Sequence, residues 1–251
     1  MQQNEEIIYG KNPVTELLKK KEGVDTVFIS ESLNPSTQSY YMALAKECGA
    51  VVKKVHPTKL KNLCGNDNHQ GIAAFASTIE YVSIAQILRI AKEKNESPFV
   101  VLCDGIEDPH NLGAIMRSAY LMGAHGIIIP KRGGASVTSI VHKTSAGASM
   151  HLPVAKVANI AQAVRSLKEN NIFVYCADLN AQPLYKHNLT GPIALVVGSE
   201  GKGVHPLVKS LCDDVVSIPM HNSASNVDSF NASVAAGIIM YEISRQRDLG
   251  K

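Results

Sequence analysis

The chain has 251 residues, 45% of them hydrophobic and 19% charged, which is typical of a globular protein with one large domain or two smaller ones. A formal net charge of +3 permits an anionic partner without requiring one, and the lack of tryptophan argues against a large base-stacking platform. Five scattered cysteines without a CxxC pair indicate no zinc site or disulfide framework, and with no signal peptide or membrane-spanning run we expect a cytoplasmic protein with reduced thiols.

Residues 1–78 predict a small α/β domain. Its strand candidates are DTVFIS, AVVKKV and GIAAFAS, and helical spacing occurs in NPVTELLKKK and QSYYMALAKECG. Asn12 before Pro13 favours a helix start, and Gly49 favours a helix end. Residues 79–97 are apolar at first and then charged, and we expect them to form a linker or a short helix.

Residues 98–251 alternate between apolar runs and helical patterns. The runs are FVVLCD, GIIIP, IFVYCA, IALVVG and DVVSIP, and the helical patterns cover residues 111–122, 160–170, 205–212 and 231–247. Continuous apolar runs are typical of parallel strands buried on both faces, so this part predicts a doubly wound α/β domain. Ligands of such sheets bind beyond the carboxyl ends of the strands, which directs attention to the loops after Val101, Val197 and Ile218.

The first of these loops begins the stretch DGIEDPHNLGAIMRSA, residues 104–119. Asp108 can cap a helix that has Pro109 at its first position. Arg117 follows Gly113 by one helical turn and is expected to lie over it, with its guanidinium near Asn111. On this stretch alone, a surface arginine and a capping asparagine are the commoner interpretation.

The second loop is the glycine-rich LVVGSEGKGV, residues 195–204. It matches neither the P-loop nor the GxGxxG pattern, although its glycines allow a backbone to approach a ligand closely. Glu200 argues against a bare phosphate here and is compatible with a neutral or cationic ligand. A simple turn between strand and helix is the alternative.

The third loop lies within residues 217–242. Asp228 or Ser229 can cap a helix that starts near Asn231, and this helix has a small-residue face suited to close packing. The face consists of Ala232, Ala235, Ala236 and Gly237. The alternative is a capped helix after a flexible loop.

Other patterns are less informative. The pair Lys131–Arg132 before two glycines is a candidate phosphate contact or a solvated turn. There is no G-x-S-x-G elbow, and the nine histidines lack metal-ligand spacing, so we expect no metal site.

Together, the three loops resemble the SpoU family of RNA ribose 2′-O-methyltransferases. The residues that carry the likeness are Asn111, Gly113 and Arg117, then Gly198, Ser199, Glu200, Gly201 and Gly203, then Ile218, Pro219, Met220, Ser229, Phe230 and Asn231. TSAGASMHLPV also resembles the family, and IIYGKNPVTELL and NHQGIAA resemble its small substrate-binding domain, which is similar to a ribosomal protein. The likeness is greatest to the two-domain bacterial enzymes that methylate a guanosine of 23S rRNA.

This resemblance implies what composition cannot show. It implies a trefoil knot in the parallel-sheet domain, a homodimer, and S-adenosylmethionine as the cofactor, held by the knotted loops. The catalytic residues it implies are Arg117, Asn111, Glu200, Ser229 and Asn231, and the cofactor-binding residues are Gly198, Gly203, Ile218, Met220 and Phe230. Because this cofactor carries no phosphate, it is not repelled by the carboxylate of Glu200 in the glycine-rich loop.

The sequence departs from the family at two places. Phe230 stands where leucine is usual, and the loop from Pro219 to Asn231 is a few residues longer, so that Ser223 and Ser225 are possible substitutes for Ser229. Three rival functions are methylation of tRNA or another rRNA site (including resistance-type methylation), a non-catalytic RNA-binding or ribosome-assembly protein, and a nucleotide-dependent oxidoreductase. The last lacks a glycine fingerprint after the first strand.

Overall fold

The computed structural model describes residues 7–19, 24–76, 79–221 and 229–249. The chain divides into two compact units, Met1–Glu80 and Tyr81–Lys251. In the described part of the chain, every helix is too short or too polar to cross a membrane.

The first unit contains a four-stranded mixed sheet in the order β1-β4-β2-β3. Its strands are β1 (Ile7–Tyr9), β2 (Val24–Ser30), β3 (Val51–Val55) and β4 (Ile72–Ala76), and its helices are α1 (Lys11–Lys19), α2 (Pro35–Glu47) and α3 (Pro57–Cys64). Strand β2 is buried throughout because helices cover both of its faces. Val27 and Ile29 pack with α1 and α2, whereas Phe28 packs with Leu60 of α3. Strand β1 and helix α3 were not predicted, and α1 begins one residue before Asn12.

The second unit contains a seven-stranded sheet in the order β11-β9-β10-β6-β7-β8-β5. Its strands are β5 (Tyr81–Val82), β6 (Phe99–Asp104), β7 (Gly126–Pro130), β8 (Val154–Val157), β9 (Phe173–Pro183), β10 (Ile193–Gly198) and β11 (Asp214–Ser217). Its helices are α4 (Ile84–Glu93), α5 (Pro109–Leu121), α6 (Ser139–Thr144), α7 (Ile160–Glu169), α8 (Pro206–Leu211) and α9 (Ala232–Leu249). All neighbouring strands pair in parallel, which confirms the predicted parallel-sheet fold.

Helices cover the sheet of the second unit on both sides. Alternate strand residues such as Val100, Leu102 and Val196 join α4, α7 and α8 in one apolar cluster. On the other side, α5 contacts β7, α9 contacts β10, and α5 contacts both α6 and α9. Burial on both faces explains why the strands read as unbroken apolar runs rather than as alternating patterns.

From Tyr81 onward, the segment 79–97 belongs to the second unit, and it contains a short helix, which was one of the two alternatives that we expected. Strand β5 pairs with β8, and Ser83 and Gln86 form a capping box at the start of α4. Ile87 and Ala91 of α4 are fully buried, and Ile87 lies against Gly126 of β7. The segment packs because its apolar residues recur at helical spacing and together cover the sheet.

Candidate functional site

The carboxyl ends of β6 and β10 bring the first two predicted loops together. These strands are neighbours, and Gly198 pairs with Asp104 at their ends. The carboxylate Oδ2 of Asp104 accepts a hydrogen bond from the backbone N–H of His205 at 2.7 Å, which holds the end of the second loop against the first. Gly105 adopts φ +76°, and a side chain there would contact Ser199.

The glycine-rich loop after β10 is tightly closed. Ser199 N–H donates to the carbonyl of Gly203 at 3.1 Å, and Gly203 N–H donates to the carbonyl of Ser199 at 2.9 Å. A side chain at Gly198 would overlap the backbone of Gly203 and Val204, so only glycine fits that position. Gly201 and Gly203 have positive φ, which favours glycine there too.

Asn231 connects all three predicted loops. Its side-chain Nδ2 donates to Oδ1 of Asn111 at 3.0 Å and to Oε2 of Glu200 at 3.3 Å. Its Oδ1 accepts from the backbone N–H of Ser233 at 3.0 Å and of Val234 at 3.4 Å. Because one side of the amide must accept and the other must donate, this network fixes the orientation of Asn231.

The same contacts show that Asn231 itself is the N-cap of α9. The sequence suggested Asp228 or Ser229 for that role, but the backbone donors of the first turn already point to the Asn231 carbonyl oxygen. Asp228 lies outside the described residues, as do the possible substitutes Ser223 and Ser225. The small-residue face of α9 packs as predicted, with Ala236 fully buried.

The hydrogen-bonded side chains of Asn111, Glu200 and Asn231 form a polar junction, and a cleft of about 330 Å³ opens beside it. Six of the predicted site residues line it: Gly198, Glu200, Gly203, Ile218, Ser229 and Phe230. Met220 was predicted to bind the cofactor, but the structure leaves its side chain 37% exposed and outside the lining. Asn111 and Asn231 lie at the junction rather than in the wall.

Sequence reasoning missed one wall of the cleft, the residues Ala177 to Asn180 in β9. Asp178 of this wall receives a hydrogen bond from the ammonium of Lys209 at 2.7 Å and from the backbone of Asn180 at 3.2 Å. Burial raises the pKa of Asp178, but the bonds from Lys209 and the backbone outweigh it, so the net pKa lies below its usual value. The available signal was that the predicted apolar run IFVYCA, like IALVVG, ends at this edge of the sheet.

Arg117 lies on the exposed side of α5 and makes no side-chain hydrogen bond or ion pair with any residue in the described ranges. Asp108 caps the same helix, as predicted, by accepting from His110 N–H at 2.9 Å. The expectation that Gly113 leaves room for Arg117 is wrong. Gly113 is buried against α6, where an added side chain would collide with Thr144. The glycine therefore allows close packing of two helices.

No cluster of three or more histidine, cysteine or acidic side chains suited to a metal ion occurs within the ranges that the structure describes. The arrangement instead combines a cleft with mixed walls and a polar junction at its edge. A pocket of this size and character suits a small organic ligand.

Comparisons with known proteins agree with this geometry. Residues 98–241 match the model of the SpoU rRNA methylase family, and residues 7–82 match the model for RNA 2′-O ribose methyltransferase substrate binding. YacO of Bacillus subtilis (strain 168), assigned to the TrmH family of tRNA/rRNA methyltransferases, is 42% identical over 99% of this chain and 98% of its own.

A Staphylococcus haemolyticus protein assigned to the same family is 39% identical over 96% of both chains. Among solved structures, the SpoU methyltransferase AviRb from Streptomyces viridochromogenes, in complex with the cofactor AdoMet, is 25% identical with a TM-score of 0.61. That match covers 97% of this chain and 91% of AviRb. The family expected from the three loops is confirmed, and this chain belongs to the SpoU/TrmH family of RNA methyltransferases.

Proposed function

We propose that the chain binds S-adenosylmethionine in the cleft and transfers its methyl group to a ribose 2′-hydroxyl of RNA, a guanosine of 23S rRNA being the target. The observation that carries this proposal is the junction of Asn111, Glu200 and Asn231 beside the cleft. Three polar side chains, from the first turn of α5, the glycine-rich loop and the cap of α9, meet there at the carboxyl edge of the sheet, where ligands of such folds bind.

The cleft fits the proposed cofactor in size and chemistry. Apolar walls from Val197, Ile218 and Ile239 suit an adenine ring, and the backbone of residues 198–203 offers donors and acceptors to the polar groups. Two carboxylates, Asp178 and Glu200, make the cleft a poor site for phosphate and a tolerable one for a cationic ligand. Phe230 supplies an apolar wall where leucine is usual in the family.

S-adenosylmethionine, when bound, supplies an activated methyl group, so the residues need only align the hydroxyl and ease loss of its proton. Asn111 and Asn231 position the reactants, Ser229 contacts them from the cleft wall, and Glu200 orders the site by holding Asn231. Arg117 is too basic to remove a proton and instead stabilises the developing oxyanion while binding an adjacent phosphate.

We assign RNA recognition to residues 1–78, within the first unit, and catalysis to residues 98–251. Lys53 and Lys54 are exposed on β3 and offer charge for RNA phosphates. The KKKEG run, the other basic stretch of this unit, lies largely outside the described residues. With this function we expect the protein in the cytoplasm, where ribosomes assemble. Cell fractionation followed by detection of the native protein tests this expectation.

A homodimer is the assembly that we propose. Leu121 on α5 and Tyr241 on α9 are 66% and 57% exposed, and apolar side chains exposed on two contacting helices are suited to a protein interface. Arg117 precedes Leu121 by one helical turn, so a second copy on this face would lie beside it. Sedimentation tests this: the wild type should be a dimer and Leu121→Lys a monomer, and a monomeric wild type would contradict it.

We also propose that the second unit is knotted, as the family resemblance implies. The last strand, β11, lies outside β9, and the preceding loop folds back on β6, which is consistent with a chain that threads itself. An unknotted stretch of residues 81–251 should extend to roughly 560–620 Å under force. A tightened trefoil would stop short of that length, and full extension would exclude the knot.

The substrate assignment is tested with radiolabelled S-adenosylmethionine and two RNA pools, protein-free 23S rRNA and bulk tRNA, from cells without ribose methylation. Label in 23S rRNA supports the proposal, and label only in tRNA moves the target to that class. Arg117→Lys keeps the charge but loses the guanidinium fork, so turnover should fall while cofactor affinity stays unchanged. No label in either pool would favour a non-catalytic RNA-binding protein.

A further inference from the structure

The turn after β7, residues 131–136, is fixed to both neighbouring strand ends. Lys131 N–H donates to the carbonyl of Val157 at 2.7 Å, and Ala135 N–H donates to the carbonyl of Ile106 at 2.7 Å. Lys156 secures its far end by donating from Nζ to Oγ of Ser136 at 3.1 Å. The backbone of the turn is therefore held on both sides.

This turn lies at the same edge of the sheet as the candidate site. Strand β7 is the direct neighbour of β6, and a side chain at Gly105 would be 4.0 Å from the carbonyl of Gly133 and 3.6 Å from Cβ of Ser199. The turn thus adjoins the first loop on the side opposite the glycine-rich loop, one strand away from the junction of Asn111, Glu200 and Asn231.

Two cationic side chains of the turn, Lys131 and Arg132, are available to bind a ligand. Arg132 is exposed and Lys131 partly exposed, and neither side chain makes a hydrogen bond or ion pair with a residue in the described ranges. Two other lysines at the same edge are engaged: Lys209 pairs with Asp178, and Lys156 bonds Ser136. A rigid turn that presents two free cations is suited to an anionic ligand from solution.

We propose that Lys131 and Arg132 form a binding site for backbone phosphates of the RNA substrate next to the nucleotide that is methylated. This inference rests on the proposed function and extends it by a second substrate contact, made by the catalytic unit itself. Phosphate contacts set the register of a nucleic acid on a protein without reading its sequence. The turn would hold the RNA strand so that the target ribose lies over the junction of Asn111, Glu200 and Asn231.

The test replaces both cations, Lys131→Gln with Arg132→Gln, in the full chain. The probes are protein-free 23S rRNA and a mixed-sequence 20-nucleotide RNA, and affinity is measured over a range of salt concentrations. Each lost phosphate contact lowers the slope of log affinity against log salt by about 0.7 to 0.9, equivalent to about 5- to 8-fold in affinity at 0.1 M salt. The double variant should therefore bind about 25- to 60-fold more weakly, with S-adenosylmethionine affinity unchanged.

The matched control is Lys92→Gln with Arg165→Gln, which removes the same charge from exposed positions on the helices α4 and α7. Equal weakening by the control and the turn variant would show a general charge effect and overturn the site. A turn variant with wild-type affinity and salt slope would overturn it as well. Absence of methyl transfer by the wild type would instead refute the proposed function, and the binding data would still decide whether the turn contacts RNA.

Discussion

Replacement of Asn231 separates its two roles, because its carbonyl oxygen caps α9 and its amide nitrogen joins Asn111 to Glu200. Asn231→Ala removes both. Loss of a cap costs about 1 kcal/mol and loss of the neutral bond to Asn111 about 1 kcal/mol, while the exposed bond to Glu200 adds little. We expect the free energy of unfolding to fall by about 2 kcal/mol.

Asn231→Asp keeps the accepting oxygen and so keeps the cap. It also replaces the donating nitrogen by an oxygen that repels Glu200 and the accepting oxygen of Asn111. We expect it to be about 1 kcal/mol more stable than Asn231→Ala but to lose methyl transfer on the order of 100-fold, the cost of a misplaced reactant.

Denaturant unfolding and turnover, measured on both variants, test this separation of roles. Asn231→Asp with wild-type turnover would refute the alignment role of the nitrogen. Equal stability of the two variants would refute the capping role of the oxygen.

Three further substitutions test the tight turn at Gly198, the hydrogen bonds of Arg247 and the burial of His125. Gly198→Ala should abolish S-adenosylmethionine binding in calorimetry, because the added carbon overlaps the turn at Gly203. Arg247→Met should lower the free energy of unfolding by about 2–3 kcal/mol, because its guanidinium donates to the carbonyls of Ser97, Pro98 and Gly191 at the starts of β6 and β10. Burial lowers the pKa of His125 below 6.5 despite its hydrogen bond to Glu96. Near that pH, His125 is therefore protonated less readily in the folded state than in the unfolded state. Stability should therefore fall as pH drops below about 6.5, and His125→Gln should flatten this dependence in denaturant titrations.

Each of these outcomes has its own control. Gly191 has ordinary φ and open space around it, so Gly191→Ala should leave binding intact, and Gly198→Ala with normal affinity would refute the tight-turn argument. Arg247→Met should leave cofactor affinity unchanged, since Arg247 lies at the opposite ends of the strands. Equal pH dependence in wild type and His125→Gln would assign the effect to other groups.

Sequence patterns predicted the parallel sheet well because strands buried on both faces are uniformly apolar, as in β6 and β10. Strands β5 and β8 are too short to give such a run. Helix α4 was doubtful because its apolar stripe is followed by charged residues in its last turn and beyond. The roles of Gly113 and Asp178 could not be predicted, since Thr144 of α6 approaches Gly113, and Lys209 of α8 approaches Asp178, only through tertiary packing.

The sequence allowed most residues of the site to be predicted, but not their distances and hydrogen bonds to one another. Sequence order placed Asn111, Glu200 and Asn231 in three loops, but their mutual hydrogen bonds depend on strand order, with β6 beside β10. The cap at Asn231 was misassigned because Asp228, Ser229 and Asn231 are all good capping residues and only the backbone geometry distinguishes them.

The most direct test of the central claim is the position of the transferred methyl group. RNA is methylated with isotopically labelled S-adenosylmethionine and the wild-type protein, digested to nucleosides, and analysed by mass spectrometry, with Arg117→Ala as the control. We expect label on the ribose of one nucleoside, released as a methylated sugar and absent with the variant. Label on a base, or equal label with the variant, would contradict it.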